Sequence, residues 1–372
     1  MREPTPLQAL REGHWFKLIC GASFQHLPSV RTLTLAYAIA GADCIDVAAD
    51  PAVIRIAREA LDLAQTYSAN APWLMVSVND GEDPHFRKAQ LDPRRCPGDC
   101  SQPCVDICPT EAITPRSLAQ MGVIEDRCYG CGRCLTRCPI DQIVAQSHQV
   151  HLADLLPDLR SLAVDALEIH TQVGHFEAFQ RIWQQVKPLL PHLKLLAISC
   201  PYAPGVLDYL HSISAILPPL PCPLLWQTDG RPMSGDIGGG ATRTTVKYAQ
   251  QALRANLPGY IQVAGGTNAH TVTKLKALGL FQPLSSLAPT PRRARDGSPD
   301  SSCSRLSDQT SPIRRSAVSG LAYGSYGRSL LESIQADLDQ LTYGSPRLED
   351  VPPLMASAIA KAQSLVAPVK SR

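Results

Sequence analysis

Two closely spaced cysteine runs constrain this chain more than any other feature of its sequence. Eight of its 13 cysteines lie in the runs RCPGDCSQPCVDICPT (95–110) and RCYGCGRCLTRCPI (127–140). The N-terminal stretch MREPTPLQALREGHW is charged and lacks the apolar core of a secretory signal, so we expect a cytoplasmic protein with reduced thiols. Clustered cysteines in a reducing compartment favour metal binding or redox chemistry over disulfides.

The second run has a spacing that is typical of iron–sulfur ligands. Its four cysteines, the last followed by proline, match the C-x2-C-x2-C-x3-C-P pattern of bacterial ferredoxins. Zinc is the metal alternative, although zinc sites commonly pair two separate CxxC knuckles. We therefore predict a ferredoxin-like iron–sulfur module over residues 94–146. Its predicted ligands in this run are Cys128, Cys131, Cys134 and Cys138.

The first run departs from that pattern, because three residues separate each cysteine from the next. Its predicted ligands are Cys96, Cys100, Cys104 and Cys108. In two-cluster ferredoxins the fourth cysteine of each run binds the other cluster. We therefore expect Cys108 to join the first three cysteines of the second run, and Cys138 to join those of the first. The wider loop leaves two compositions open: two [4Fe-4S] clusters, or one [4Fe-4S] and one [3Fe-4S].

Outside the cysteine region, short apolar runs alternate with longer segments of helical periodicity. Continuous apolar strands that alternate with helices indicate a parallel sheet covered by helices. Eight strand–helix units fit a TIM-like (β/α)8 barrel, and a doubly wound α/β sheet is the alternative. The predicted strands lie at residues 15–23, 42–50, 72–80, 164–172, 193–201, 222–230, 259–268 and 317–326.

This pattern also predicts the domain organisation. The barrel comprises residues 1–93 and 147–344, and the iron–sulfur module is inserted after the third strand, at the face where barrel loops carry function. Residues 283–317 are rich in Ser, Pro and Arg and poor in large apolar residues, so we predict a disordered insertion there. Residues 345–372 form a C-terminal tail that contains a helix.

Glycines at the ends of the seventh and eighth strands are candidates for a cofactor site. In many barrels the loops after these two strands bind phosphate through backbone N–H groups. Plain turns are the alternative, because glycine commonly marks turns. The segment VDALEIHTQVGH is similar to the fourth strand of flavin-dependent barrel oxidoreductases, which makes FMN the cofactor to test. The predicted phosphate-site residues are Gly265, Gly266, Gly324 and Ser325.

Composition limits the classes of partner. The net charge of +2 comes with no long basic face, so we do not expect nucleic acid as a partner. No window of 18 uninterrupted apolar residues is present, so we expect no membrane span.

Several stretches along the chain carry a resemblance to a known family. They are WFKLICGAS, ADCIDVAAD, PWLMVSVNDGEDPHFRKA, both cysteine runs, VDALEIHTQVGHFEAF, WQTDGRPMSGDIGGGAT and IQVAGGTNAHTV. With these, the sequence resembles the cyanobacterial light-dependent period (LdpA) family over nearly its whole length. The resemblance implies an iron–sulfur redox-sensing protein that relays light-dependent cellular redox state to the circadian clock input pathway. It implies the clock-input histidine kinase and core clock proteins as partners.

Alternative functions remain open at this stage. The first is a redox sensor, which has no catalytic residue. In it, the oxidation state or the integrity of the clusters changes the conformation of loops at the barrel face. In a flavin-dependent barrel oxidoreductase, the same clusters supply electrons to the flavin. An electron-transfer subunit of a larger complex is the third class, and an electron donor or quinone is a further expected partner. The sequence favours the sensor, because no proton donor or substrate clamp is evident.

Overall fold

The structure, a computed structural model, describes most of the chain. The predicted insertion at 283–317 lies outside the described residues except for its last position. A helix predicted between the module and the fourth barrel strand also lies largely outside them. The described residues are 5–81, 86–108, 110–116, 121–147, 155, 159, 161–231, 240–281, 317–341 and 347–371.

Eight parallel strands close into a barrel within this part of the chain. The order around it is β1-β12-β11-β10-β9-β8-β3-β2, so β1 pairs with both β2 and β12. This confirms the predicted TIM-like barrel. The described strands are β1 Trp15–Ile19, β2 Cys44–Ala48, β3 Trp73–Asn79, β4 Arg87–Leu91, β5 Ile113–Thr114, β6 Gly122–Val123, β7 Ile143–Ser147, β8 Ala166–His170, β9 Leu195–Pro201, β10 Leu224–Asp229, β11 Tyr260–Ala264 and β12 Gly320–Tyr323.

Helices cover the outside of the barrel. No helix in the described ranges is long and apolar enough to cross a membrane. The described α-helices are α1 Pro6–Glu12, α2 Leu27–Ile39, α3 Pro51–Ala64, α4 Pro103–Asp106, α5 Phe176–Val186, α6 Val206–Ile216, α7 Thr242–Arg254, α8 Thr271–Ala277, α9 Ser325–Ser329, α10 Glu332–Asp339 and α11 Pro352–Lys370.

Alternation along β1 shows how one strand serves two environments. Phe16 points outward, where its ring stacks on Tyr37 of α2 and Tyr323 of β12 at centroid distances of 5.9 and 5.3 Å. Burying such a side chain contributes about 1.5–3 kcal/mol. Lys17 is fully buried and hydrogen-bonds to Glu168 across the barrel, so the interior is polar at this level.

The last helix is part of the helical layer around the barrel. α11 packs against α2, and its buried face includes Met355, Ala362 and Val366. Its last residue, Lys370, pairs with the carboxylate of Asp43 before β2. This helix closes the layer next to the strand pair β1 and β2.

The cysteine region lies in the chain between β3 and β8. β4 pairs antiparallel with β7, and β5 with β6, which gives two small two-stranded sheets. The β4–β7 ladder begins before the predicted module boundary at residue 94. Between the ladders a small core forms around Cys104, Ile113, Cys134 and Ile143. Because the insertion follows β3, the module stands at the carboxyl ends of the barrel strands.

Candidate iron–sulfur centre

Four of the predicted cysteine ligands line one cavity of about 50 Å³. The walls come from β4, from the turn between β5 and the first run, and from the loop of the second run. The four thiols are those expected to share one cluster, and they come from both runs. They are Cys108, Cys128, Cys131 and Cys134.

The loop of the second run takes a shape that requires glycine. Gly130 has φ +71°, and a Cβ there would lie 1.9 Å from the carbonyl oxygen of Arg87 on β4. Gly132 has φ +75°. These left-handed residues let the loop wrap tightly against β4, as close approach of the backbone demands.

Backbone N–H groups point at the sulfur atoms of this site. Ala89 donates to Cys128 Sγ at 3.3 Å, and Ala112 donates to Cys108 Sγ at 3.2 Å. Such hydrogen bonds stabilise thiolate character and are among the factors that set cluster potentials. Soft thiolate donors ringed by N–H groups are a donor set that fits an iron–sulfur cluster.

Two thiols of the cavity, those of Cys131 and Cys134, resist ionisation before metal binds. Burial raises the pKa of Cys134 to about 12, and the nearby thiols of Cys131, Cys128 and Cys108 add to the effect. Burial likewise raises the pKa of Cys131. Ligation requires thiolates, so loading of this site must release protons.

Of the other four predicted ligands, Cys104 is buried, and Cys96, Cys100 and Cys138 are partly exposed. Burial raises the pKa of Cys104, and the nearness of Cys138 and Cys100 raises it further. At Cys138, burial acts to raise the pKa, but backbone N–H groups including that of Gln142, 3.2 Å from Sγ, bring it below its ordinary value. Cys104 of the first run thus has Cys138 of the second run as a neighbour, and the expected exchange of the fourth ligand stays a prediction.

An arginine holds the wide loop of the first run. Arg116 Nη2 donates to Cys96 Sγ at 3.1 Å, and its guanidinium also bonds the carbonyl oxygens of Pro97 and Gly98. Its backbone N–H donates to the side chain of Gln102 at 3.2 Å. The longer spacing is thus spanned by a side chain that sequence reasoning did not single out, because Arg116 lies outside both runs.

The module contacts the barrel through a residue of the cluster loop. The Tyr129 ring meets the ring of Phe24 edge-to-face at 5.6 Å, and the guanidinium of Arg328 lies 4.1 Å from the Tyr129 ring centre. Arg328 belongs to α9, which follows β12. It also donates to the Ile19 carbonyl at 2.9 Å and to Ser325 Oγ at 3.0 Å.

A second set of contacts joins the loop after β1 to the module. The backbone N–H of Gln25 donates to the carbonyl of Asp126 at 3.1 Å. Lys88 on β4 bonds the side chain of Gln25 and the carbonyl of Glu125. Beside these contacts is a cavity of about 270 Å³, lined by α2, α10 and the module.

The barrel interior holds a buried ionic network. Lys17 Nζ lies 2.6 Å from Glu168 and 3.4 Å from Asp46, and Glu168 also bonds His170 at 3.1 Å. Burial opposes ionisation of Glu168, but Lys17 and His170 outweigh it and lower its pKa to about 2. Burial raises the pKa of Asp46 to about 6, against the pull of Lys17. The ring of Phe86 covers His170 at 5.2 Å.

At two of the predicted phosphate-site glycines, Gly265 and Gly266, neighbouring backbone atoms of the protein pack closely. Gly265 and Gly266 have φ of +62° and +94°. A Cβ at Gly265 would lie 2.8 Å from Gly230 N, and one at Gly266 would lie 2.8 Å from the Ala241 carbonyl. Gly324 precedes α9, and Ser325 accepts the bond from Arg328. A phosphate or FMN at these residues stays a prediction.

Comparison with known proteins identifies the family. The model of the light dependent period A C-terminal domain matches residues 158–368, and that of the LdpA Fe-S cluster-binding domain matches residues 96–149. Light dependent period A of Synechococcus elongatus is 48% identical over 371 residues, which cover 100% of this chain and 95% of the relative. The chain belongs to the light dependent period A (LdpA) family. Its cysteine region is the iron–sulfur-binding domain of that family, so this LdpA-family chain is an iron–sulfur protein.

Solved structures give weaker likenesses. A geranylgeranylglyceryl phosphate synthase from Thermoplasma acidophilum, in complex with sn-glycerol-1-phosphate, has a TM-score of 0.38 and 10% identity, with 96% of each chain covered. A dihydrodipicolinate synthase from Agrobacterium tumefaciens has a TM-score of 0.30 and 11% identity, with 73% of this chain and 76% of that chain covered.

Proposed function

We propose that this chain is a redox sensor, whose iron–sulfur centre relays light-dependent cellular redox state to the circadian clock input pathway. The contact of Tyr129 with Arg328 is the observation that carries the proposal, because it joins the cluster loop to the barrel. The name of the Synechococcus relative, light dependent period, supports the link to light and period.

The chemistry of the sensor is a one-electron change at the cluster. Bound clusters supply reversible electron uptake, and the protein sets their potential through ligands, hydrogen bonds and burial. In this chain Ala89 and Ala112 orient the sulfur atoms, while Tyr129 connects the loop to barrel residues. A change in the loop therefore reaches Phe24 and Arg328 directly.

Signalling requires partners that distinguish the two redox states, since a ligand shifts an equilibrium only by its differential affinity. We propose the clock-input histidine kinase and core clock proteins as the partners, with an electron donor or quinone as the source of the signal. A movement of the cluster loop would change the surface around the cavity between α2, α10 and the module, because Tyr129 lines that cavity.

A cofactor inventory tests the composition of the centre. We propose two clusters, one on the Cys108 group and one on the Cys138 group. The Cys108 group is Cys108, Cys128, Cys131 and Cys134, and the Cys138 group is Cys138, Cys96, Cys100 and Cys104. Iron, acid-labile sulfide and released flavin are measured on one anaerobic preparation. About eight irons per chain are expected for two [4Fe-4S] clusters, and about seven for one [4Fe-4S] and one [3Fe-4S] cluster. Four or fewer irons would contradict the two-cluster proposal.

The same preparation tests a flavin-dependent oxidoreductase as the second candidate. The buried set of Lys17, Glu168 and His170 at the barrel centre favours considering it, because such groups are typical of barrel active sites. Flavin near one equivalent per chain is the expected result of that alternative.

Partner binding tests the sensor directly. Oxidised and dithionite-reduced protein are compared for binding to the purified clock-input kinase, and the two affinities are expected to differ. The variant Cys131→Ser should remove the difference, because it disrupts the cluster site. Cys222→Ser is the matched control, since this buried thiol precedes β10 in the barrel, and should keep the difference. Equal affinities for both wild-type states would refute the sensor.

A further inference from the structure

Arg328 is a buried cation that forms no ion pair within the part of the chain that the structure describes. Only 6% of its surface is exposed. Its guanidinium bonds a carbonyl and a hydroxyl, both neutral, and its Nε has no hydrogen-bond partner. Among the described residues, no carboxylate lies within ion-pair distance of it. Burying a charge costs free energy unless an opposite charge or hydrogen bonds compensate it, so a compensating negative charge is expected close to Arg328.

One carboxyl close to Arg328, that of Glu332, makes no ion pair with it. Glu332 opens α10 and is close enough for Arg328 to act on its pKa. Burial raises the pKa of Glu332 above its ordinary value, although Arg133 and Arg328 both act to lower it. The contrast with Arg31 is informative, because that arginine is equally buried but forms a two-pronged pair with Glu349 at 2.6 Å.

The side that faces the module offers a negative charge instead. Arg328 stacks on Tyr129, which lies between the ligands Cys128 and Cys131. A thiolate-bound iron–sulfur cluster is net negative, and its charge grows by one on reduction. A cation fixed behind the loop stabilises the reduced cluster more than the oxidised one, because low dielectric strengthens charge interactions.

We propose that Arg328 is the counter-cation of the cluster bound by the Cys108 group, and that this barrel residue raises the reduction potential of that cluster through the ring of Tyr129. Arg328 is thus a positioning residue for the redox centre. The inference rests on the proposed cluster assignment, and iron analysis of the wild type tests that assignment separately.

Potentiometric titration followed by electron paramagnetic resonance measures the effect. R328Q should lower the midpoint potential of one cluster and leave the other unchanged, whereas R328K should stay near the wild type. R31Q is the matched control and should leave both potentials unchanged. A potential in R328Q equal to that of the wild type, with iron retained, would overturn the proposal.

Two further measurements keep the test decisive. In the iron-free protein R328Q should melt at or above the wild-type temperature, because an uncompensated charge is removed, while R31Q should melt lower. A large fall in the melting temperature of iron-free R328Q would show a purely structural role. If R328Q retains too little iron to titrate, S325D places a carboxylate beside the guanidinium and should lower the same potential. An unchanged potential in S325D would also contradict the proposal.

Discussion

Gly130 shows how a single residue determines whether the cluster loop can form. Its left-handed backbone and its contact with the Arg87 carbonyl leave no space for a side chain. The neighbouring Tyr129 and Cys131 depend on this turn for their directions. The positions of the thiols therefore depend on Gly130, although this residue has no side chain and cannot bind iron.

Replacement of Gly130 by alanine should prevent stable loading of the cavity. A Cβ at 1.9 Å from backbone oxygen forces the loop away from β4, and left-handed strain alone costs about 1–3 kcal/mol. Iron per chain is expected to fall by about the content of one cluster. Gly122→Ala is the matched control in the same module, because no atom of the described residues lies within 4 Å of the added Cβ. Equal iron loss in both variants would argue against the loop explanation.

The ion pair of Lys17 with Glu168 should show strong coupling. Lys17→Met leaves two buried carboxylates without their cation and is expected to destabilise the fold by about 3–5 kcal/mol. The double variant K17M/E168Q should recover much of this loss. Urea unfolding of the single and double variants measures it, and additive effects would contradict the coupling.

The pH dependence of this pair has a definite sign. In the wild type the pKa of Glu168 is lowered to about 2 from an ordinary 4.5, so its contribution is present above pH 4.5 and is lost as pH falls toward 2. In K17M the Lys17 cation is gone and only His170 still opposes the effect of burial, so the pKa of Glu168 should rise. The stability of K17M relative to wild type should therefore improve as pH falls from about 7 to 5, as measured by urea unfolding at each pH. A difference that does not vary with pH would contradict it.

At the scale of elements, α11 illustrates how a terminal helix stabilises the barrel. Its buried face packs on α2, next to the strands where the barrel closes. Val366 is 1% exposed and lies near Gly41 at the end of α2. The helix therefore belongs energetically to the barrel.

A charge on the buried face of α11 should be costly. Val366→Asp is expected to lower the free energy of unfolding by several kcal/mol, about 3 or more, because the carboxylate is desolvated without a partner. Gln363→Asp lies on the exposed face of the same helix and should change stability by about 0.5 kcal/mol or less. Thermal and urea unfolding of the two variants make the comparison.

Elements were predictable where local pattern determines them. β3 was expected at 72–80 and spans Trp73–Asn79, because a continuous apolar run marks a strand buried on both faces. β12 is shorter than expected, since Ser325 already begins α9. The interior network was not predicted: Lys17 and Glu168 are 151 residues apart, and only barrel closure brings them together. The closeness of Cys128, Cys131 and Cys134 was predictable, because short spacings keep these side chains together; their role as ligands stays a prediction.

At the scale of the whole molecule, the module packs on the barrel next to its first and last strands. Phe24 and Gln25 lie in the loop after β1, and Arg328 lies in α9 after β12. β1 and β12 are neighbours around the closed sheet. The module thus touches the seam where the barrel closes. Changes in the cluster loop should be transmitted there before they reach the opposite side.

Removal of iron should loosen this seam selectively. Hydrogen exchange is compared for anaerobic holoprotein and for protein treated with an iron chelator. Faster exchange is expected at residues 20–26 and in α9, because both contact Tyr129 or its neighbours. α6, away from these contacts, should exchange equally in both forms. Uniform loosening of the barrel would argue against a local connection.

The place of Arg328 in the chain has a consequence for biosynthesis. The cysteine loops leave the ribosome long before β12 and α9, since synthesis runs from the N-terminus. The contact between Tyr129 and Arg328 therefore forms only after almost the whole chain has been synthesised. The same holds for the pairing of β1 with β12. A cluster inserted during translation would bind before β12 and α9 are present. Its final electrostatic environment, which includes Arg328, forms only when the chain is complete.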